Sequence, residues 1–398
     1  MKDLKKFKRI LIGLKNKSPL PLLFENGYTP ESIKKEIIET FSTYFEDKTI
    51  LDEIAVKYLV PDWINLMRIS IIYPNIERDL LLVLNNYKTA KKINKERTIE
   101  ILASLSPMHI EAGNKFWSFL NLEIDKKELE LDEFAQTSLK DISNIIEGIS
   151  KTLYLEQLMI NRVLRNKNFE IQKVIELKLG NVIDELINNS NSPNLFKTVP
   201  DNIKFSDWRN ISAHHNYSVK KELIHCEYGT GEKKKKIILK REELYEKLEQ
   251  CMRSTEILNL AHKIFGYDNM NEFKSFTKPN DMEAREEIDF LTISSGIMSQ
   301  GFEIINLEYK NIPKAILTLK DLTNGDAKMR GIHSSQFLTN LWIITRKPHL
   351  EIRYIKQNGE PYLISKCDSE MCELVSSGKK KLTELAEKVE FELIKNSG

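Results

Sequence analysis

The chain has 398 residues, 30% charged and 41% hydrophobic, with 60 Lys and Arg against 58 Asp and Glu. Such a composition gives a globular protein with room for two or three cores and excludes a disordered chain. A net charge of +2 excludes a global positive field for gripping nucleic acid, so binding of that kind needs a local patch.

The N-terminal stretch MKDLKKFKRILIGLKNK is basic and amphipathic, without the apolar core and small-residue cleavage site of a secretory signal, and reads as a surface helix. No stretch approaches the roughly 20 apolar residues that span a bilayer. Cys226, Cys251, Cys367 and Cys372 are scattered, as suits a reducing compartment. Cytoplasmic location and no membrane partner are expected.

Residues 1–125 read as a helical N-terminal region whose role no motif reveals. Thr29-Pro30-Glu31 opens a helix with a capping residue and a Pro at its first position, and Ile33, Ile37 and Phe41 continue its stripe. A second helix runs through LLLVLNNYKTAKKI, and a third is expected after Ser106-Pro107. Residues 126–267 form a second helical domain. Its periodic run from Leu131 to Leu164 is followed by a helix carrying Val174, Leu179, Val182 and Leu186, then by the NNSNSPN loop. LIHCEY and KKIILK flank Gly229-Thr230-Gly231-Glu232 as an inserted β-hairpin, and a helix from about Arg241 to Phe265 closes the domain.

Residues 268–282 read as a linker. Residues 283–398 change character and form an α+β domain, a candidate sensor or regulatory element. FEIINLEYK and AILTLKD alternate at period two, while HLEIRYIK and EPYLISK are joined through Asn358-Gly359, a type I′ hairpin signal. A helix from about Lys379, with Leu382, Leu385, Val389 and Leu393 inward, ends the pattern. The fold class is mainly α, with the α+β domain C-terminal.

Chemistry concentrates in FSDWRNISAHHNYSV, residues 205–219, with Ser206 as the expected helix cap. Arg209 and His214 stand five apart, within about a turn and a half of helix. A guanidinium clamps phosphate with a fork that never loses its proton, and an imidazole exchanges protons near neutral pH. Together they supply a base for a ribose 2′-hydroxyl and a cation for the charge growing on the phosphate.

Arg-Asn-x-x-Ala-His after two long helices resembles the signature of the HEPN superfamily (higher eukaryote and prokaryote nucleotide-binding), in the form common among bacterial abortive-infection proteins. The resemblance covers about residues 130–265 and implies a helical bundle that homodimerises with its motifs across one cleft. It further implies a metal-independent endoribonuclease with no cofactor, acting as a toxin or abortive-infection effector in antiphage defence. RNA would be its substrate, and an antitoxin or phage-derived trigger a partner. Carried over, Arg209 and His214 are catalytic and Asn210 orients them. His215 and Tyr217 would bind substrate, although some members carry a Tyr two residues after the His, and Tyr217 stands three after His214 and two after His215. Lys233, Lys234, Lys235 and Lys236, near the hairpin tip, would attract an RNA backbone.

The same residues support other readings. A non-catalytic HEPN-like dimerisation or RNA-binding module is the alternative function. Arg209 and His214 could instead pair with Glu176 or Asp184 and simply join helices. A zinc site from His214, His215, His225 and Cys226 is disfavoured, because neighbours on a strand point to opposite faces. Lysine runs are commonly solvated surface. Trp208 reads as a packing anchor rather than a stacking platform, and no metal ligand set is assigned.

Overall fold

The computed structural model describes residues 18–121, 126–229, 234–273, 285–323 and 325–394, together with Gly13 and Gly231. The basic N-terminal stretch, apart from Gly13, lies outside these, as do Lys233 and most of the expected linker.

In chain order the first helices are α1 (Leu20–Glu25), α2 (Pro30–Ser42), α3 (Lys48–Tyr58), α4 (Val60–Ile72), α5 (Ile76–Ile93) and α6 (Lys95–Asn121). Next come α7 (Leu131–Ser143), a π-helical turn (Asn144–Ile149), α8 (Lys151–Leu164), α9 (Ile171–Ile175), α10 (Leu179–Asn189) and α11 (Phe205–Ala213). Strands β1 (Tyr217–Lys220), β2 (Leu223–Tyr228) and β3 (Lys235–Leu239) lead to α12 (Arg241–Asp268) and α13 (Met270–Phe273). The remainder is α14 (Glu286–Ser299), β4 (Phe302–Glu308), β5 (Lys314–Asp321), α15 (Ala327–Ser334), α16 (Phe337–Thr345), β6 (His349–Ile355), β7 (Pro361–Asp368), α17 (Ser369–Ser376), α18 (Leu382–Ala386) and β8 (Glu390–Leu393). The mainly helical class with a C-terminal sheet region is as expected.

The boundaries differ from expectation. One compact unit is built from the described parts of Met1–Thr43, Lys48–Met67 and Arg285–Gly398, the other from Tyr44–Asp47 and Arg68–Ala284. The expected separate domain at 1–125 is therefore replaced. Its first helices complete the C-terminal unit, while α5 and α6 belong to the central one. Sequence patterning shows which face of a helix is apolar but not which distant face covers it, so such a division is hidden locally.

In the discontinuous unit a five-stranded sheet runs in the order β4-β5-β6-β7-β8. Its β5 and β6 are parallel, joined through α15 and α16, and the other neighbours are antiparallel. Two helices approach closely at Gly296 of α14, where a Cβ would stand 3.1 Å from the Val56 carbonyl of α3. The β6–β7 hairpin forms as expected, but its turn is not type I′. Only Gly359 takes a positive φ, of 89°, and its N–H donates to the Lys356 carbonyl at 3.0 Å. The expected terminal helix is also corrected: only Leu382–Ala386 is helical, and the chain then pairs with β7 as β8. Leu385 and Val389 are buried, whereas Leu382 and Leu393 are exposed.

In the central unit α6 begins at Lys95 and carries Pro107 in its interior rather than starting behind it. The periodic run at 131–164 is two α-helices joined by the π turn, which Ser150 N–H closes on the Ile145 carbonyl five residues back at 2.8 Å. β1, unforeseen in the sequence, joins the expected hairpin to make an antiparallel β1-β2-β3 sheet. Ile224 and Cys226 of β2 are buried, and β2 packs on α11.

An ion cluster fastens α8 to α10. Arg162 donates to Glu185 at 3.1 and 2.6 Å, and Arg165 adds a bond at 2.7 Å. The bond from Arg162, opposed in part by burial and reinforced by Arg165, holds the Glu185 carboxyl below its usual range. Because that pKa is depressed on folding, the pair's contribution is complete above the unfolded value and fades as pH falls through the native one. Glu185→Gln is expected to cost about 1 kcal/mol at neutral pH. Thermal unfolding across pH checks this: the gap between variant and wild type should close under acid conditions, and a pH-independent gap would contradict it.

Candidate functional site

Three turns of chain build the Arg/His segment. Lys204, not Ser206, is the residue that precedes α11, and it offers no side-chain cap. Ser206 lies buried in the first turn instead. Trp208 is fully buried and its Nε1–H donates to Thr198 Oγ1 at 3.0 Å, which makes it the packing anchor that fixes the helix.

One residue on, Arg209 turns to the π-helical segment. Its Nε and Nη2 each donate to a different oxygen of Glu147, both at 2.8 Å, and its Nη1 donates to Asn210 Oδ1 at 3.0 Å. The pair is half open to water, with 28% of the Arg209 and 46% of the Glu147 side chain exposed. Hydrogen bonding from Arg209 lowers the Glu147 pKa, and Glu147 in return raises that of Arg209. A guanidinium has five N–H donors, so this fork is oriented by three and keeps two for a further acceptor.

The carboxylates weighed from sequence have other partners: Asp184 accepts from Lys204 at 2.6 Å, and Glu176 from Gln172 at 3.0 Å. Glu147 was missed because its selection depends on the π turn. One extra residue in a helical turn rotates the rest of the helix by about 100°, which periodicity in the sequence does not reveal.

The helix ends at the two histidines. His215 N–H donates to the Ser212 carbonyl at 3.2 Å and Asn216 N–H to that of Ile211 at 3.0 Å, the paired bonds of a Schellman ending. His215 supplies the left-handed residue, with φ 51°, where glycine is usual. His214, next to it, is exposed, and its side chain makes no hydrogen bond or ion pair with the described residues. No hydrogen bond joins it to Arg209; residues five apart on a helix are turned by roughly 140°. Tyr217 opens β1 opposite Cys226, its ring 6.4 Å from that of His215. Burial, then nearby Asp132, pushes its phenol pKa up.

A single carboxylate serves two of the lysines. Lys236 pairs with Glu227 at 2.8 Å and Lys234 with the same carboxylate at 3.7 Å, while Lys235 acts electrostatically on Asp207. Lys233 lies outside the described residues. The zinc grouping is not assembled: Cys226 is fully buried, its thiol pushed up to about 12 by burial, and His214 and His215 are exposed on the turn.

A second constellation escaped the sequence reading. His109 of α6, Glu156 of α8 and His262 of α12 are the one group among the described residues whose donor atoms could jointly hold a metal ion. His109 lies within residues 1–125, where no site was legible. The available signal was Glu156, a lone charge inside LYLEQLMI, all eight residues of which are buried.

Comparisons with protein-family models, with curated proteins and with solved structures found no match.

The Schellman ending gives a test of what His215 does. His215→Val, a β-branched residue at positive φ, is expected to cost about 1–2 kcal/mol, whereas His215→Gly should hold or raise the melting temperature. A Gly variant as unstable as the Val variant would mean that the imidazole, not the backbone angle, is what the position requires.

Proposed function

We propose that the central unit is a HEPN-like endoribonuclease, probed by RNA rather than by DNA because the reaction needs a 2′-hydroxyl. The observation that carries this reading is the Arg209 fork, oriented at the surface by Glu147 and Asn210 on the same short helix that ends in exposed His214.

His214 takes the proton of the 2′-hydroxyl, and the oxygen attacks the adjacent phosphorus. The two remaining Arg209 donors meet the charge gathering on the phosphoryl oxygens. The bond to the 5′-oxygen breaks and that oxygen is protonated, leaving a 2′,3′-cyclic phosphate and a 5′-hydroxyl. In the homodimer that the resemblance implies, a second His214 would donate this proton. Asn210 acts through Arg209 as a positioning residue. The resemblance extends the reading to a toxin or abortive-infection effector in antiphage defence.

A second reading has its own support. Glu147 already occupies the fork and offsets its charge, leaving less of it for a transition state, which suits a docking module, for dimerisation or for RNA, that does not cut. The two are separated by incubating the purified chain with total RNA. Cleavage should leave cyclic-phosphate ends, and His214→Ala should lower it by about 10²-fold or more with an unchanged melting temperature. Arg209→Lys should also lose cleavage, since it keeps the charge but not the fork. Undiminished cleavage by His214→Ala would reject the assignment, and retention of intact RNA by the wild type would favour the docking module.

A further inference from the structure

The His109–Glu156–His262 cluster lies in the interior of the central unit and has no part in the ribonuclease reading. Glu156 is fully buried in the middle of α8, and among the described residues its ion-pair partners are the two histidines rather than a Lys or Arg. His109 Nε2 stands 2.6 Å from Glu156 Oε2, and His262 Nδ1 stands 3.0 Å from Glu156 Oε1. The two imidazoles stack with centroids 3.9 Å apart and planes 24° from parallel. One donor atom from each of the three residues falls within 4.8 Å of the other two.

Around this meeting point the carboxylate is already oriented. Tyr87 of α5 donates its hydroxyl to Glu156 Oε1, and Gln157 Nε2 holds the Tyr87 oxygen at 2.6 Å. Such outer hydrogen bonds aim a ligating carboxylate and fix its rotamer. His109 and His262 keep 13% and 22% of their side chains exposed, so the cluster is closed by Glu156 on its inner side and reached by water from the imidazole side.

We propose that His109 Nε2, Glu156 and His262 Nδ1 bind one divalent first-row transition-metal ion, zinc foremost, that ties α6, α8 and α12 together. Two imidazole nitrogens and one carboxylate oxygen suit zinc, or iron(II) in its two-histidine, one-carboxylate form, and not the all-oxygen preference of calcium or magnesium. Three protein ligands leave a position for water, on the side where the imidazoles are exposed. The ion would exchange two N–H···O bonds for three metal bonds and neutralise a carboxylate that otherwise carries its charge into an apolar core.

The test uses the whole purified chain, stripped with chelator, reloaded with zinc and freed of excess by dialysis. Elemental analysis should find about one zinc per chain in the wild type and roughly a tenth of that or less in His109→Gln and His262→Gln. No bound zinc in the wild type, or equal zinc in the Gln variants, would overturn the proposal. Should either variant fail to fold, X-ray absorption of the zinc-loaded wild type decides: a nitrogen and oxygen shell with two imidazoles supports the site. Sulfur ligands, which buried Cys226, Cys251, Cys367 or Cys372 would supply, sink it. Since these measurements contain no RNA, their failure leaves the ribonuclease reading standing, and loss of that reading leaves the metal site untouched.

Discussion

A carboxylate buried among packed helices governs the central unit. An isolated ionised group in such a place costs several kcal/mol even after relaxation, so neighbouring helices have to answer it with polar groups at fixed positions. Tyr87, His109 and His262 do so from α5, α6 and α12. Each contact restricts the register of its helix, because a slip of one residue moves a side chain by about 1.5 Å along the axis and turns it by about 100°. Apolar packing alone tolerates more exchange than this.

The same rod that carries Glu156 also carries Glu147, nine residues earlier in the π turn. Fixing the rotation of α8 from its buried side therefore sets the direction of Glu147 on the outer side. Burial separates the two acids in kind. One is sealed and held by neutral or protonatable partners; the other is half exposed and paired with a permanent cation. Arg209 thus inherits its aim from a helix whose phase is decided in the core. Pairs exposed to water contribute little to stability, so the Arg209–Glu147 contact is better understood as orientation than as a staple.

Much of this was legible one element at a time. Thr29 caps α2 and accepts the Ser32 N–H as its sequence suggests, the strands of both expected hairpins pair, and Trp208 is an anchor. What stayed hidden involves either distance or phase. Glu156 finds its imidazoles 47 and 106 residues away, and no local pattern joins them. Pro107 reads as a helix start, yet α6 runs through it, since tertiary packing can override the loss of one backbone bond. The segment after Lys379 has helical spacing but becomes β8, where pairing with β7 outweighs a short apolar stripe. His214 was expected to be catalytic and His215 to bind substrate; the second of them serves as the left-handed residue that stops the helix.

The interrupted unit has a consequence for how the protein is made. The described residues of 68–284, with Tyr44–Asp47, form one compact body, whereas the other is assembled from segments on either side of 68–284. During synthesis most of the enclosed body has left the ribosome before the sheet of β4 to β8 is complete. The early helices meanwhile wait, with apolar faces uncovered, for strands more than two hundred residues downstream. Chaperone dependence should fall on those waiting helices, and fragments cut near residue 125 would divide both bodies instead of releasing either one.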